Sequence, residues 1–181
     1  LQGILDLPLQ IDTSDAGTME AAMRMYNGKP LVNSVSGKQE SMAAVFPLIQ
    51  KYGGVVVALT LDEDGIPATA EGRLAVARKI VETAAGYGIS KKDILVDVLT
   101  MAVSAGPDAA RVTLDALRLV RKELGVHTVL GVSNVSFGLP QRETVNVAFY
   151  TLALQSGLDA AILNPCAAGM KKAYLAYRVL A

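Results

Sequence analysis

Cysteine and histidine each occur once, at Cys166 and His127, and tryptophan is absent. One thiol cannot form an internal disulfide, and one thiol with one imidazole cannot supply the four ligands of a structural zinc site. A reducing, cytoplasmic setting is therefore expected. The chain also lacks an excess of charge, since 17 basic residues balance 17 acidic ones. No global field is available to attract a polyanion or an anionic membrane surface, so neither nucleic acid nor membrane is expected as a partner. Long hydrophobic runs are missing too: the longest, VVVALTL, is far shorter than the ~20 residues that span a bilayer. No basic segment followed by an apolar stretch and a cleavage site opens the chain. No Gly-x-Gly-x-x-Gly turn follows any strand-like run, which removes the simplest mark of dinucleotide binding. With no Ser/Gly linker, charge block or low-complexity tract, residues 1–181 read as one domain.

What is present is alternation. Short runs rich in valine, leucine and isoleucine predict strands at 8–12, 30–34, 55–61, 94–98, 127–133 and 159–164. Stretches of helical period lie between them, near 15–26, 39–52, 69–86, 107–124, 140–156 and 167–180. Most of the strands are apolar without strict alternation, as expected of parallel strands covered on both faces. Ser14 or Asp15 suits the first helix start, Pro107 with Asp108 the fourth, and Gly53, Gly88, Gly125 and Gly157 lie where helices should stop. Pro47 falls inside the second helix and is expected to kink it. The fold class is α/β. Six such units admit either a (β/α)8 barrel, short of two units, or an open doubly wound sheet.

Polar residues recur where strands give way to helices: Asp12, Asn33, Asp62, Asp97, Asn134 and Asn164. Any one of them is explained equally well as a helix cap or turn residue. The set is harder to explain so, because caps usually fall a few residues later, inside the loop. In a barrel the C-terminal strand ends converge on one mouth, and three carboxylates with three amides would then face one cavity.

The stretch GVSNVSFGLPQR, with LQIDTS, PLVNSVS, ALTLDEDGIPATAEGR and LDAAILNP, resembles the methyltetrahydrofolate-binding barrel of cobalamin-dependent methionine synthases and of methyltetrahydrofolate:corrinoid methyltransferases. The likeness runs in order along essentially the whole chain, and the FGLP form of the loop, with Phe137, leans toward the methionine synthases. It implies a (β/α)8 barrel of the pterin-binding type, here without its first two β/α units, because LQIDTS matches the third strand of that barrel. A missing N-terminal part of the same barrel, or a second copy in a homodimer, is then expected to cover the two open edges.

The resemblance implies roles as well. A pterin carries an amide-like edge of amino group and ring N–H that a carboxylate reads as a paired acceptor, and Asp12 and Asp97 are matched to that job. Asn33 offers both donor and acceptor to the opposite side of the bicycle. Asn134 is matched to N5, where an amide can follow the charge that develops as the methyl group leaves. Gly131 and Ser133 allow the backbone close to the flat ring, and Phe137 and Pro140 stiffen the loop. Arg142 either approaches the aminobenzoyl-glutamate tail or fixes the loop by bonding carbonyls. Asn164 either reaches the pterin through water or only supports its neighbours. The implied activity is transfer of the N5 methyl of 5-methyltetrahydrofolate to a Co(I) corrinoid such as cob(I)alamin, carried by a partner domain or protein, because no Asp-x-His-x-x-Gly motif is present.

Other residues read as structural. Asn146 falls in a helix whose buried face is expected to comprise Val145, Ala148, Phe149 and Leu152. Asp62, Glu63 and Asp64 sit beside Gly65 and Pro67, a turn of solvated charges and no metal site, and Arg73 could pair with them. Cys166 is expected to be a small buried residue, and His127 to lie at the far end of the barrel from the mouth. Two further readings stand beside the first. A dihydropteroate-synthase-like enzyme would need cations for a pyrophosphate, and the strand end at Asn134 offers no lysine. A folate- or corrinoid-docking module would bind without turnover.

Overall fold

The computed structural model describes residues 1–181. Its principal elements alternate from strand to helix: β1 (Gln10–Asp12), α1 (Ala16–Met25), β2 (Leu31–Ser36), α2 (Gln39–Tyr52), β3 (Val55–Leu59), α3 (Ala70–Gly86), β4 (Ile94–Asp97), α4 (Ala109–Leu124), β5 (His127–Gly131), α5 (Arg142–Gln155), β6 (Ala160–Ile162) and α6 (Ala168–Leu180). A short 3-10 turn, Val132–Ser136, directly follows β5. No helix is long and apolar enough to cross a membrane.

All strand pairs are parallel, and the sheet order is β1-β2-β3-β4-β5-β6. Strand order separates the two architectures that element order allows. A doubly wound sheet reverses direction at a switch point and carries helices on both faces. Here every crossover advances to the next strand, so right-handed connections place all helices on one side and the sheet curls around the other. Consecutive helices accordingly pack side by side, α1 on α2 through α5 on α6. The chain thus forms six consecutive units of a (β/α)8 barrel.

The core lies between sheet and helices. From the strands it takes Val32, Val56, Ala58, Ile94, Val96 and Leu130, which meet Met19, Phe46, Ile80, Leu117 and Phe149 from the helices. The intervening strand residues Val57 and Val129 are also buried, but on the concave side and outside that cluster. Burial on both faces explains why the strand sequences do not alternate. In α4, Thr113, Ala116, Leu117, Val120 and Leu124 are buried at three- and four-residue spacing, while Arg111, Asp115 and Arg118 form an exposed ion-pair row. Gly125 ends this helix in the left-handed conformation and returns its N–H to the Arg121 carbonyl. At α1 the cap is Asp15, whose Oδ1 accepts the Thr18 N–H at 2.7 Å.

Several expectations are corrected. Strand β5 stops at Gly131, so Ser133 and Asn134 belong to the 3-10 turn and not to a strand. Strand β6 stops at Ile162, two residues before Asn164. Strand β2 continues to Ser36, with an irregular register between Asn33 and Val35. The buried face of α5 is Asn146, Phe149, Tyr150 and Ala153, whereas Ala148 and Leu152 are exposed, because α6 packs one position around the helix from where periodicity placed the core. Cys166 is exposed, since it sits in the turn before α6. The outer edges of β1 and β6 have no strand partner, and both strands are only three residues long. Large apolar side chains are exposed near each edge, Leu1, Ile4, Leu7 and Met25 on one side and Ile162, Val179 and Leu180 on the other.

Candidate active site

Parallel register puts paired residues on the same face of a sheet, and every second residue along a strand shares that face. Asp12 pairs with Asn33, Asn33 with Val57, and Val57 with Leu95. One inward step toward the C-terminal rim, Leu59 pairs with Asp97 and Asp97 with Val129, and one step beyond Val129 lies Gly131. The side chains of Asp12, Asn33 and Asp97 therefore all lie on the concave face. Asn33 Nδ2 donates to Asp12 Oδ2 at 3.3 Å, and Gln10 Nε2 reaches the same oxygen at 3.3 Å. Both bonds use Oδ2, which leaves Oδ1 of Asp12 free to accept. Asp12 is exposed and Asn33 half-buried at the open rim.

Asp97 differs from Asp12 in its surroundings. It is only 8% exposed, and burial pushes its carboxyl up to about 6, while the Leu99 N–H and the Arg73 charge pull the other way. Leu99 N–H donates to Oδ1 at 2.7 Å. Oδ2 has no partner within the protein. Asp97 thus presents one bonded and one open oxygen, the arrangement that a further donor can complete.

Asn134 reaches the same face from the turn after β5. A Cβ built on Gly131 would lie 3.0 Å from Asn134 Nδ2, so the carboxamide folds back over the concave side of Gly131. A side chain at 131 would push the carboxamide aside by a few tenths of an ångström. The exposed amide makes no hydrogen bond within the protein and remains free at both ends. Gly131→Ala is expected to leave the fold intact but displace the Asn134 carboxamide, which the shift of its side-chain amide signals in NMR measures.

The turn itself is held by Arg142. Its Nε donates to Ser136 Oγ at 3.0 Å and its Nη2 to the Ser133 carbonyl at 3.0 Å, while the guanidinium lies 4.7 Å from the Phe137 ring centroid. Ser136 Oγ in turn donates to the Ser133 carbonyl at 3.2 Å, and Ser104 Oγ, from the loop after β4, donates to the Phe137 carbonyl at 2.7 Å. Of the two roles open to Arg142, the structure shows loop fixation. Arg142→Ala should lower stability by about 1 kcal/mol, readable as a fall in Tm, and loosen residues 133–137 in hydrogen exchange.

Elsewhere the strand-end residues do other work. Asn164 Oδ1 accepts the Cys166 N–H at 3.0 Å, a local turn bond, and the side chain is exposed. Glu63 Oε1 accepts the Gln39 N–H at 2.7 Å and so caps α2 from a neighbouring loop, and its Oε2 pairs with Lys79. Arg73 does not pair with the acidic turn, contrary to expectation: its Nε and Nη1 bond the carbonyls of Pro67, Val98 and Leu99 and the Thr113 hydroxyl. His127 begins β5, beside Asp159 and away from the rim. Sequence reasoning missed Ser104, Ser136 and the destination of Arg73. No local pattern marks them, because Ser104 and Arg73 bond groups on other elements, and Ser136 takes the Arg142 Nε–H from the next helix as well as bonding Ser133 within its own turn.

Relatives of known kind share this arrangement of elements. The sequence pattern of the family "Pterin binding enzyme" matches residues 1–164. Methionine synthase of Mycobacterium tuberculosis is 32% identical over 171 residues, covering 87% of this chain and 14% of that protein. Methylcorrinoid:tetrahydrofolate methyltransferase of Eubacterium limosum is 31% identical over 181 residues, covering 97% of this chain and 66% of that protein. The chain therefore spans less than two thirds of either relative. Among solved structures, dihydropteroate synthase of Yersinia pestis superposes with a TM-score of 0.75 at 17% identity, over 97% of this chain and 73% of that one. The Xanthomonas albilineans dihydropteroate synthase in complex with 7,8-dihydropteroate gives 0.71 at 20% identity, over 99% and 71%. These structural likenesses establish the barrel fold, and the match over residues 1–164 establishes the lineage: the chain belongs to the pterin binding enzyme family.

Proposed function

We propose that this chain binds 5-methyltetrahydrofolate at the concave rim and transfers its N5 methyl group to a Co(I) corrinoid held on another domain or protein, as a cytoplasmic module of methionine synthase type. The observation that carries the reading is the free carboxamide of Asn134 laid over Gly131, on the same face as Asp12, Asn33 and Asp97. The open oxygens of Asp97 and Asp12 accept the amino and ring N–H groups of the pterin, and Asn33 serves its other side. Gly131 and Ser133 bring the backbone close to the ring, and Phe137, set by Arg142, borders it.

A Co(I) corrinoid, when brought to the rim, would supply the electron pair that takes up the methyl group. The N5–CH3 bond breaks, its pair stays on N5, and N5 takes a proton from solvent to give tetrahydrofolate. Asn134 donates to N5 as negative charge develops there, so the amide stabilises the transition state more than the ground state. Delivery of the corrinoid by a partner is supported by the position of the one histidine, which lies away from the rim beside Asp159. Dihydropteroate-type condensation is less well supported, since Arg142, the cation of the rim loop, is bound to Ser133 and Ser136.

Two strand edges and the apolar side chains beside them remain open in the six-unit fold, and the proposal assigns them to preceding β/α units of the same barrel. The test is spectroscopic: cob(I)alamin is mixed with the intact protein and 5-methyltetrahydrofolate, and methylcobalamin formation is followed. Folate binding with methylation supports the reading. Binding without methylation favours a docking role, and no binding removes folate from the account.

A further inference from the structure

We propose that Arg73 is a positioning residue for Asp97: by clamping the Val98 and Leu99 carbonyls it holds Leu99 in the conformation that aims its N–H at Asp97 Oδ1. The inference rests on the folate reading of the same site. Arg73 is 2% exposed, yet no carboxylate bonds its guanidinium. Burying an unpaired cation is expensive, so the site must keep it for something that neutral side chains do not supply. What it touches is informative. Nη1 bonds the Val98 carbonyl at 2.9 Å, the Leu99 carbonyl at 2.7 Å and Thr113 Oγ1 at 3.2 Å, while Nε bonds the Pro67 carbonyl at 3.1 Å.

One side chain on α3 therefore ties the loops after β3 and β4 to α4. The segment it grips is strained. Leu99 has φ of 65°, a left-handed conformation that a branched apolar residue adopts only when its surroundings impose it. That conformation is fixed from both ends, by Arg73 on the carbonyl and by Asp97 on the N–H, the latter at 2.7 Å. The carboxylate is thereby held with one oxygen bonded and the other turned to the mouth. Arg73 is also the only charged group that acts appreciably on Asp97; neither Asp12 on β1 nor Asp62 beyond β3 does.

The experiment measures folate affinity by calorimetry from pH 5 to 8 on the intact protein and on Arg73→Met, Arg73→Lys and Thr113→Val. A 13C-carboxyl titration of Asp97 in the ligand-free proteins runs beside it. Arg73→Met should weaken folate roughly tenfold at pH 7 and raise the Asp97 midpoint by about one pH unit, since the favourable cation is gone. Arg73→Lys keeps the charge but lacks the Nε donor to the Pro67 carbonyl and the rigid planar group that aims Nη1 at the two loop carbonyls, so the midpoint should stay while affinity falls. Thr113→Val removes one bond to Arg73 and one to the Leu99 carbonyl, so it should weaken folate in the same direction as Arg73→Met but by less, with the midpoint kept. A folded Arg73→Met with unaltered affinity and midpoint overturns the inference. Should that variant fail to fold, wild-type affinity in Arg73→Lys overturns it. If the wild-type protein does not bind folate, the folate reading fails, and an Asp97 midpoint unmoved in ligand-free Arg73→Met separately removes the role of Arg73.

Discussion

Asn134→Ala will slow methyl transfer by on the order of 10²- to 10³-fold, the effect of deleting one preorganised donor aimed at developing charge. The amide makes no hydrogen bond in the protein, so its loss leaves no buried group unpaired and should change Tm little. Folate Kd should change far less than kcat, because the interaction with N5 strengthens only as the methyl group departs. Single-turnover methylation of cob(I)alamin, with calorimetric folate binding alongside, separates these quantities. Equal rates in the wild-type and variant proteins would take Asn134 out of the mechanism. A proportionate loss of rate and affinity would make it a binding residue only.

Asp97→Asn should move binding and stability in opposite directions. Burial lifts the Asp97 carboxyl from 3.8 to about 6 in the folded protein. The folded state therefore keeps this proton over a range of pH in which the unfolded chain has released it. Stability from this group is greatest below about 3.8, falls as pH rises to about 6, and is flat above. At pH 7 the ionised carboxylate costs the fold about 3 kcal/mol, of which a buried amide that still needs partners should recover only a part. Tm of the Asn variant at pH 7 should thus rise. Folate affinity should fall by roughly 10²-fold, because the amide offers its N–H where the pterin also presents donors. In the wild-type protein, affinity should drop about tenfold per pH unit below about 6, as the free carboxyl takes up its proton. A wild-type affinity flat from pH 5 to 8, or an Asn variant that binds normally, would exclude Asp97 as the pterin acceptor. The higher energy of the native carboxylate would be an instance of stability given up for function.

Much of this was legible before any coordinates. The β/α alternation, the cap at Asp15 and the stop at Gly125 depend on local chemistry that a short window contains. Asp12, Asn33 and Asp97 could be placed near strand ends for the same reason. Asn134 was set at the end of a strand that stops three residues earlier, because its valine-rich turn looks like strand to a periodicity argument, and Asn164 was set in a strand that stops two residues earlier. The burial of α5 was misjudged by one position, since the direction of its buried face depends on α6. Arg73 illustrates the same limit. The acidic turn Asp62, Glu63 and Asp64 lies about ten residues before it, yet a buried guanidinium goes where carbonyls converge, and those of Val98 and Leu99 lie 25 and 26 residues away.

By itself, the sequence determined the number and kind of β/α units and supplied amides and carboxylates near the strand ends, because propensity, capping and periodicity act over a few residues. Only tertiary structure decided that the strands follow one another in order, so that the sheet curls and all helices take one side. It also decided which strand-end groups share a face, through a parallel register that joins Asp12 to Asn33 and sets Asp97 beside Val129. The reason is that strand order and register are set by packing between segments distant in the chain, a cooperative outcome that no single segment encodes.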